Sequence, residues 1–267
     1  MAAPLWLPDL FGWKPASRKS SATCTRLFGR ALAPNIADVG SVPSLQLAGH
    51  VYDALGVVRE TTRALEDSAE VNKASGTLLE RAVEKDMAAA LPALDGGRVW
   101  MVTHQGTASR YAQFEHLNAL QRLFEEQPAL RATLDRDYQV STDVYVGVAH
   151  PDDAMARPFL HAAISCKWTI RSDRVQNVRH EFATLVRNRR GRLPHLVLVT
   201  AEPLPKRLIS IARGTGEVDT VYHLMFDELD AAVAAMASAE QRAVWAEMVE
   251  QRRLRPYSAL ARDLVLS

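Results

Sequence analysis

From Ser44 to about Glu66 apolar residues recur with helical spacing. Leu45, Ala48, Val51, Tyr52 and Leu55 share a face, so the pattern predicts a helix. Ser75-Gly76 opens a second predicted helix, with Leu79, Val83, Met87 and Ala90 as its buried stripe. Glu80 and Glu84 lie one turn apart on its more polar face. Asp95-Gly96-Gly97 is a turn signal, and Arg98–Thr103 after it reads as a strand. Tyr111, Phe114, Leu117 and Leu120 mark a third helix that ends before Pro128. The second half changes rhythm. Short runs rich in β-branched residues predict strands at Asp143–Ala149, Leu160–Lys167, His195–Thr200 and Thr220–Leu224, the last of the chain. Helices are expected from Ser172 to about Asn188, after Pro205, and at Asp227–Met236 and Ala239–Gln251. Strands alternating with helices predict an α/β fold, a mixed central β-sheet flanked by helices. Residues 1–43 hold five prolines and no sustained period. They read as an irregular N-terminal arm on a single domain whose core spans 44–267.

Composition narrows the class. With 48% hydrophobic residues over 267 positions the chain can bury a large core, and no apolar run reaches the ~18 residues of a membrane span. The first residues do not read as a secretory signal, and two cysteines make no disulfide framework, so a reducing cytoplasm is expected. A net charge of +1 argues against a protein that coats nucleic acid, but leaves room for a local basic site.

The stretch ISCKWTIRSDRVQNVRHEF, residues 164–182, carries the most chemistry. Asp143 opens one predicted strand and Lys167 ends the next, an arrangement suited to a metal-dependent phosphodiesterase. Mg²⁺ takes hard oxygen ligands. The Asp143 carboxylate and the Cys166 main-chain carbonyl could each give one, while the Lys167 ammonium orients a water and offsets phosphoryl charge. Many nucleases carry an acid two residues before the lysine; here that position is Ser165. Glu181, on the following helix, offers a replacement carboxylate, and Glu80 a further one. Taken singly, each has a plainer explanation: an acid at a strand edge, a snorkelling lysine, solvated glutamates.

Between Lys167 and Arg192 eight Lys/Arg face two acids, a local net charge of +6 suited to phosphate backbones. Arg171-Ser172-Asp173-Arg174 begins the predicted helix. Arginine donates to guanine N7 and O6 and aspartate accepts from cytosine N4, so this segment fits G·C pairs in a major groove. The competing explanation is a helix cap at Ser172 with Asp173 in the first turn. Gly214-Thr215-Gly216 reads as a turn, Trp168 as a packing residue, and His161, His180 and His195 lack metal-ligand spacing.

The runs LHAAISCKWTIRSDRVQNVRHE and LVRNRRGRLPHLVLVTAEPLPKRLISIARGTGEVDTVYH resemble the NgoMIV-type type II restriction endonucleases, the CCGG-core group of the PD-(D/E)XK nucleases. The resemblance is dense from about Tyr111 to Leu229 and weaker from Asn35 to Ala90. It implies a restriction-endonuclease core and Mg²⁺-dependent double-strand cleavage at GCCGGC after the first G. The ends would be 5′-phosphate and 3′-hydroxyl. It places the catalytic set on Asp143, Lys167, Glu181 and Glu80. The metal ligands fall on Asp143, Glu181 and the Cys166 carbonyl, with two Mg²⁺ ions per site. Readers of the central CCGG fall on Arg171, Asp173 and Arg174, and contacts to the outer pair on Arg207 and Asp38 with Ser41. Where the family has a minor-groove glutamine, this chain has Lys73, which cannot reproduce the amide's paired donor and acceptor. The implied partners are double-stranded DNA, a cognate methyltransferase, and further copies of the chain in a homotetramer of two dimers. A structure-specific repair or recombination nuclease and a non-catalytic DNA-binding regulator are the alternatives.

Overall fold

Prolines and the lack of a period do not leave the described part of the N-terminal segment, residues 3–43, irregular. The computed structural model describes residues 3–59, 68–127, 141–214 and 216–266, without the side chains of 68–75. It places helix α1 (Leu7–Leu10), strand β1 (Trp13–Pro15), helix α2 (Ser21–Phe28) and strand β2 (Leu32–Pro34) in the predicted arm. β1 and β2 pair antiparallel, Lys14 opposite Ala33. Elements of three to eight residues are too short to show a period, which is why the pattern missed them. Leu7, Phe11, Trp13 and Phe28 join the hydrophobic core. The Phe11 ring stacks on Tyr52 at 4.8 Å and lies 5.5 Å from Trp168, fastening this segment to the residue after Lys167.

Helix α3 (Val42–Ala54) starts where Ser41 caps it, the Ser41 side chain accepting the Ser44 N–H, and stops well short of Glu66. Helix α4 (Ser68–Leu94) begins ahead of Ser75-Gly76. Strand β3 (Trp100–His104) follows. Tyr111 links two short 3₁₀ turns, Phe114 closes the second, and helix α5 (His116–Glu126) comes only after them. An i,i+3 aromatic pair suits a 3₁₀ turn and an α-helix equally, so spacing did not separate the two.

Strands β4 (Val144–Val148), β5 (Phe159–Lys167), β6 (His195–Thr200) and β7 (Thr220–His223) match their predicted positions to within a residue or two, and helix α6 (Ser172–Asn188) joins β5 to β6. Helices α7 (Pro205–Ala212), α8 (Phe226–Met236) and α9 (Ala239–Glu250) also stand where expected. Strand β8 (Leu254–Pro256) and helix α10 (Leu260–Val265) were not foreseen, so β7 is not the last strand. β8 has three residues and ends in proline, which an edge position tolerates. The six-stranded sheet runs β3-β4-β5-β6-β7-β8. Its first three strands are antiparallel, and β5 through β8 are parallel. The predicted mixed sheet flanked by helices is what forms. Val144 pairs with Ile164, so Asp143, one residue before β4, comes opposite Ser165 and within reach of Lys167. Among the described residues no helix is long and apolar enough to cross a membrane.

Candidate active site

Asp143 is the hub. Its Oδ2 accepts the Lys167 Nζ at 2.7 Å, the Cys166 N–H at 2.7 Å and the Ser165 hydroxyl at 3.2 Å. The serine that stands where other nucleases carry an acid therefore supports the aspartate as a donor. Burial would lower the Lys167 pKa, but the Asp143 carboxylate, and Glu181 beyond it, outweigh this and hold the ammonium above its ordinary value. Lys167 keeps its charge.

Glu181 arrives from α6. Burial pushes its carboxyl up to about 7, with Asp143 adding to the rise and Lys167 opposing it. Its Oε2 is buried and accepts no hydrogen bond from the described residues. A buried carboxylate oxygen without a partner is costly, and a cation beside it would relieve that cost. In an antiparallel ladder a residue turns its N–H and C=O toward the same neighbour, so the Cys166 carbonyl opens on the Asp143 side. Two carboxylates and a carbonyl fit Mg²⁺, which keeps several waters and seldom sits in an all-protein cage. Among the described residues, no group of three or more His, Cys, Asp or Glu side chains converges as a metal site. The Cys166 thiol is buried and raised well above its ordinary pKa by burial first and then by Asp143, so it is no nucleophile.

Glu80, on α4, is close enough to act on the same thiol electrostatically. Its Oε2 sits 2.7 Å from His104 Nε2, while Glu84 Oε1 accepts the His104 main-chain N–H at 2.9 Å. His104 was missed from sequence. The available signal was a histidine closing a strand, next to a helix with acids one turn apart.

The basic segment divides. Arg171 and Asp173 are exposed at the start of α6. Arg171, not Ser172, is the N-cap, and no side chain caps this helix end, which removes the capping explanation for Ser172. Arg174 is drawn back onto Thr169, its Nη1 donating to Oγ1 at 2.7 Å and to the carbonyl at 3.0 Å. Arg207 pairs with Asp38, joining the two residues expected at an outer base pair across 169 positions of sequence. Burial acts to raise the Asp38 carboxyl, but the Gly40 N–H, Arg207 and Arg171 together hold it below its ordinary value. Arg171, Asp173, Arg207 and Asp38 line one cleft of about 700 Å³. Ser41 serves as the α3 cap, and the Lys73 side chain lies outside the described residues. Lys14 of β1 was also missed; burial lowers its pKa, as does nearby Arg171, with Asp38 opposing.

The family model described as NgoMIV restriction enzyme matches residues 22–155 and 148–266. The type II restriction enzyme NgoMIV of Neisseria gonorrhoeae is 41% identical over 195 residues, 62% of this chain and 68% of that protein. Among solved structures, a pre-specific BsaWI restriction endonuclease–DNA complex aligns with TM-score 0.41 at 13% identity, covering 93% of this chain and 81% of that one. A PspGI restriction endonuclease–substrate DNA complex aligns with TM-score 0.38 at 15% identity, covering 82% and 70%. By the family match over most of its length and the identity to NgoMIV, the chain belongs to the NgoMIV restriction enzyme family and is a type II restriction endonuclease, a site-specific deoxyribonuclease.

Proposed function

We propose that the chain cuts both strands of DNA at GCCGGC after the first G, in a Mg²⁺-dependent reaction leaving four-base 5′ CCGG overhangs with 5′-phosphate and 3′-hydroxyl ends. One observation carries this reading. The Asp143–Lys167 pair and the orphaned Glu181 oxygen stand at the end of β5, and the Arg171–Arg174 segment begins four residues past Lys167. Cutting and reading groups thus share one short stretch of backbone.

In this reading Asp143, Glu181 and the Cys166 carbonyl hold the cation, with Glu80 completing the acidic set. When bound, Mg²⁺ supplies Lewis-acid stabilisation of phosphoryl charge and lowers the pKa of water. Lys167 keeps its proton, orients the attacking water and offsets charge building on the phosphate. Asp143 aims that ammonium through its 2.7 Å contact. Arg171 and Arg174 donate to guanine and Asp173 accepts from cytosine N4, Arg174 leaving Thr169 to do so. Arg207 and Asp38 contact the outer pair, and Lys73 contacts a phosphate or a base acceptor where the family's glutamine would read the minor groove. A palindromic site calls for a two-fold dimer, and the resemblance extends this to a homotetramer of two dimers. A cognate methyltransferase in the same cytoplasm would protect host DNA.

Digestion of a sequenced plasmid carrying two GCCGGC sites, with Mg²⁺ and with EDTA, tests the reading. Discrete Mg²⁺-dependent ends at G/CCGGC are expected, with two sites cut faster than one if tetramers bridge them. Ends at a longer or degenerate CCGG site would correct the specificity and point to Lys73. Cutting governed by DNA structure, or binding without cutting, would replace the reading.

A further inference from the structure

Glu202 lies between β6 and α7 with none of its surface exposed. A carboxylate so placed is costly unless its oxygens are satisfied. Here every polar atom of the residue is engaged. Its N–H donates to Thr200 Oγ1 at 3.2 Å, and its carbonyl accepts His223 Nε2 at 3.0 Å. Its Oε1 accepts the Leu204 N–H at 3.0 Å, and its Oε2 accepts the Ile170 N–H at 2.7 Å. Arg207 Nη1 stands 3.9 Å from that same Oε2.

The two donors belong to different reading elements. Ile170 precedes Arg171, the N-cap of α6, while Leu204 is the N-cap of α7, which carries Arg207. Arg207 in turn holds Asp38. One buried carboxylate therefore joins the starts of two helices that meet at the cleft lined by Arg171, Asp173, Arg207 and Asp38. Only an acceptor on both oxygens suits two N–H groups and a guanidinium. A glutamine would turn its amide donors toward one of them.

We propose that Glu202 is a positioning residue for DNA reading, locking the Ile170–Arg174 segment and Arg207 into one rigid unit so that inner and outer base pairs are tested together. The proposal rests on the reading of Arg171, Asp173, Arg174 and Arg207 as base-contacting groups. Preorganised reading groups reject a wrong base by leaving a partner unpaired, which a loose segment would avoid by shifting.

The test compares kcat/KM at GCCGGC with sites changed at one outer or one inner base pair, for wild type, Arg207→Ala and Glu202→Gln, with melting temperatures alongside. Arg207→Ala is expected to lose most discrimination at the outer pair, where its own contact goes, and less at the inner pairs. Glu202→Gln is expected to lose about tenfold at inner and outer pairs alike. In its background Arg207→Ala costs less than in wild type, the signature of coupled residues. Full discrimination by folded Glu202→Gln protein, even with a lowered melting temperature, overturns the proposal and leaves Glu202 a structural staple. If Glu202→Gln does not fold, amide exchange decides. Arg207→Ala is expected to speed exchange of the Ile170 N–H about tenfold, and unchanged exchange overturns the proposal. Wild-type cutting indifferent to these base pairs, or discrimination untouched by Arg207→Ala, would overturn the base-reading assignment and this proposal with it.

Discussion

At the scale of single residues the site turns on where charge is held. If Lys167 is the group proposed to orient water, Lys167→Ala should lower cleavage by about 10³-fold or more. Specific binding to the same DNA in Ca²⁺ should persist, measured by gel shift; lost binding would move Lys167 to a DNA contact. Glu181 makes a pH prediction. Its carboxyl is raised by burial from an ordinary 4.5 to about 7. Such a group favours the folded state fully below pH 4.5 and loses that contribution as pH rises through about 7. After discounting for solvent on its partly exposed side, the loss is about 2 kcal/mol. Thermal melts in EDTA between pH 4.5 and 8 should show Glu181→Gln losing less stability than wild type across that range. Parallel curves would mean that the carboxyl titrates normally. The placement of these residues was legible in sequence, since Asp143 and Lys167 pair and Glu181 comes near enough to act on both electrostatically. His104 and Glu202 were not, because a histidine at a strand end and a glutamate in a loop acquire partners only from distant segments.

At the scale of elements, helix α3 packs against α2 through a glycine. A Cβ at Gly49 would lie 2.4 Å from Phe28 Cε1, so the Phe28 ring occupies the space a side chain would take. In an unobstructed helix Gly→Ala adds about 1 kcal/mol of stability, whereas overpacking costs about 1–3. Gly49→Ala should therefore destabilise by about 1–2 kcal/mol in urea unfolding, and Phe28→Leu in that background should recover part of it. A stabilised Gly49→Ala would show that the ring moves aside freely. Long elements were legible from pattern: α6 and β6 fall on their predicted residues because each carries enough positions for a period to register. The three-residue strands β1, β2 and β8 were not, because their pairing is decided by a distant partner.

At the scale of the whole molecule, the run of eight basic residues is not one DNA-facing surface. Arg179 Nη2 donates to the Ser210 and Arg213 carbonyls at 3.0 and 2.7 Å, at the C-terminal end of α7. Arg189 bonds the Val186 carbonyl. A cation on the last carbonyls of a helix stabilises it. Arg179→Ala should thus cost about 1–2 kcal/mol in unfolding while leaving the salt dependence of DNA binding unchanged. A slope of log K against log salt shallower by about 1 would put Arg179 on a phosphate instead.

The sequence by itself determined the α/β class, most long elements and the string around Lys167, because hydrophobic period and residue chemistry are local properties of the chain. Only the tertiary structure decided that residues 3–43 form short packed elements with Phe11 meeting Trp168, and that Arg207 reaches Asp38. It also decided which arginines brace helices and which stay exposed beside the cleft. Those outcomes depend on burial and on partners far apart along the chain, and no window of neighbouring residues contains them.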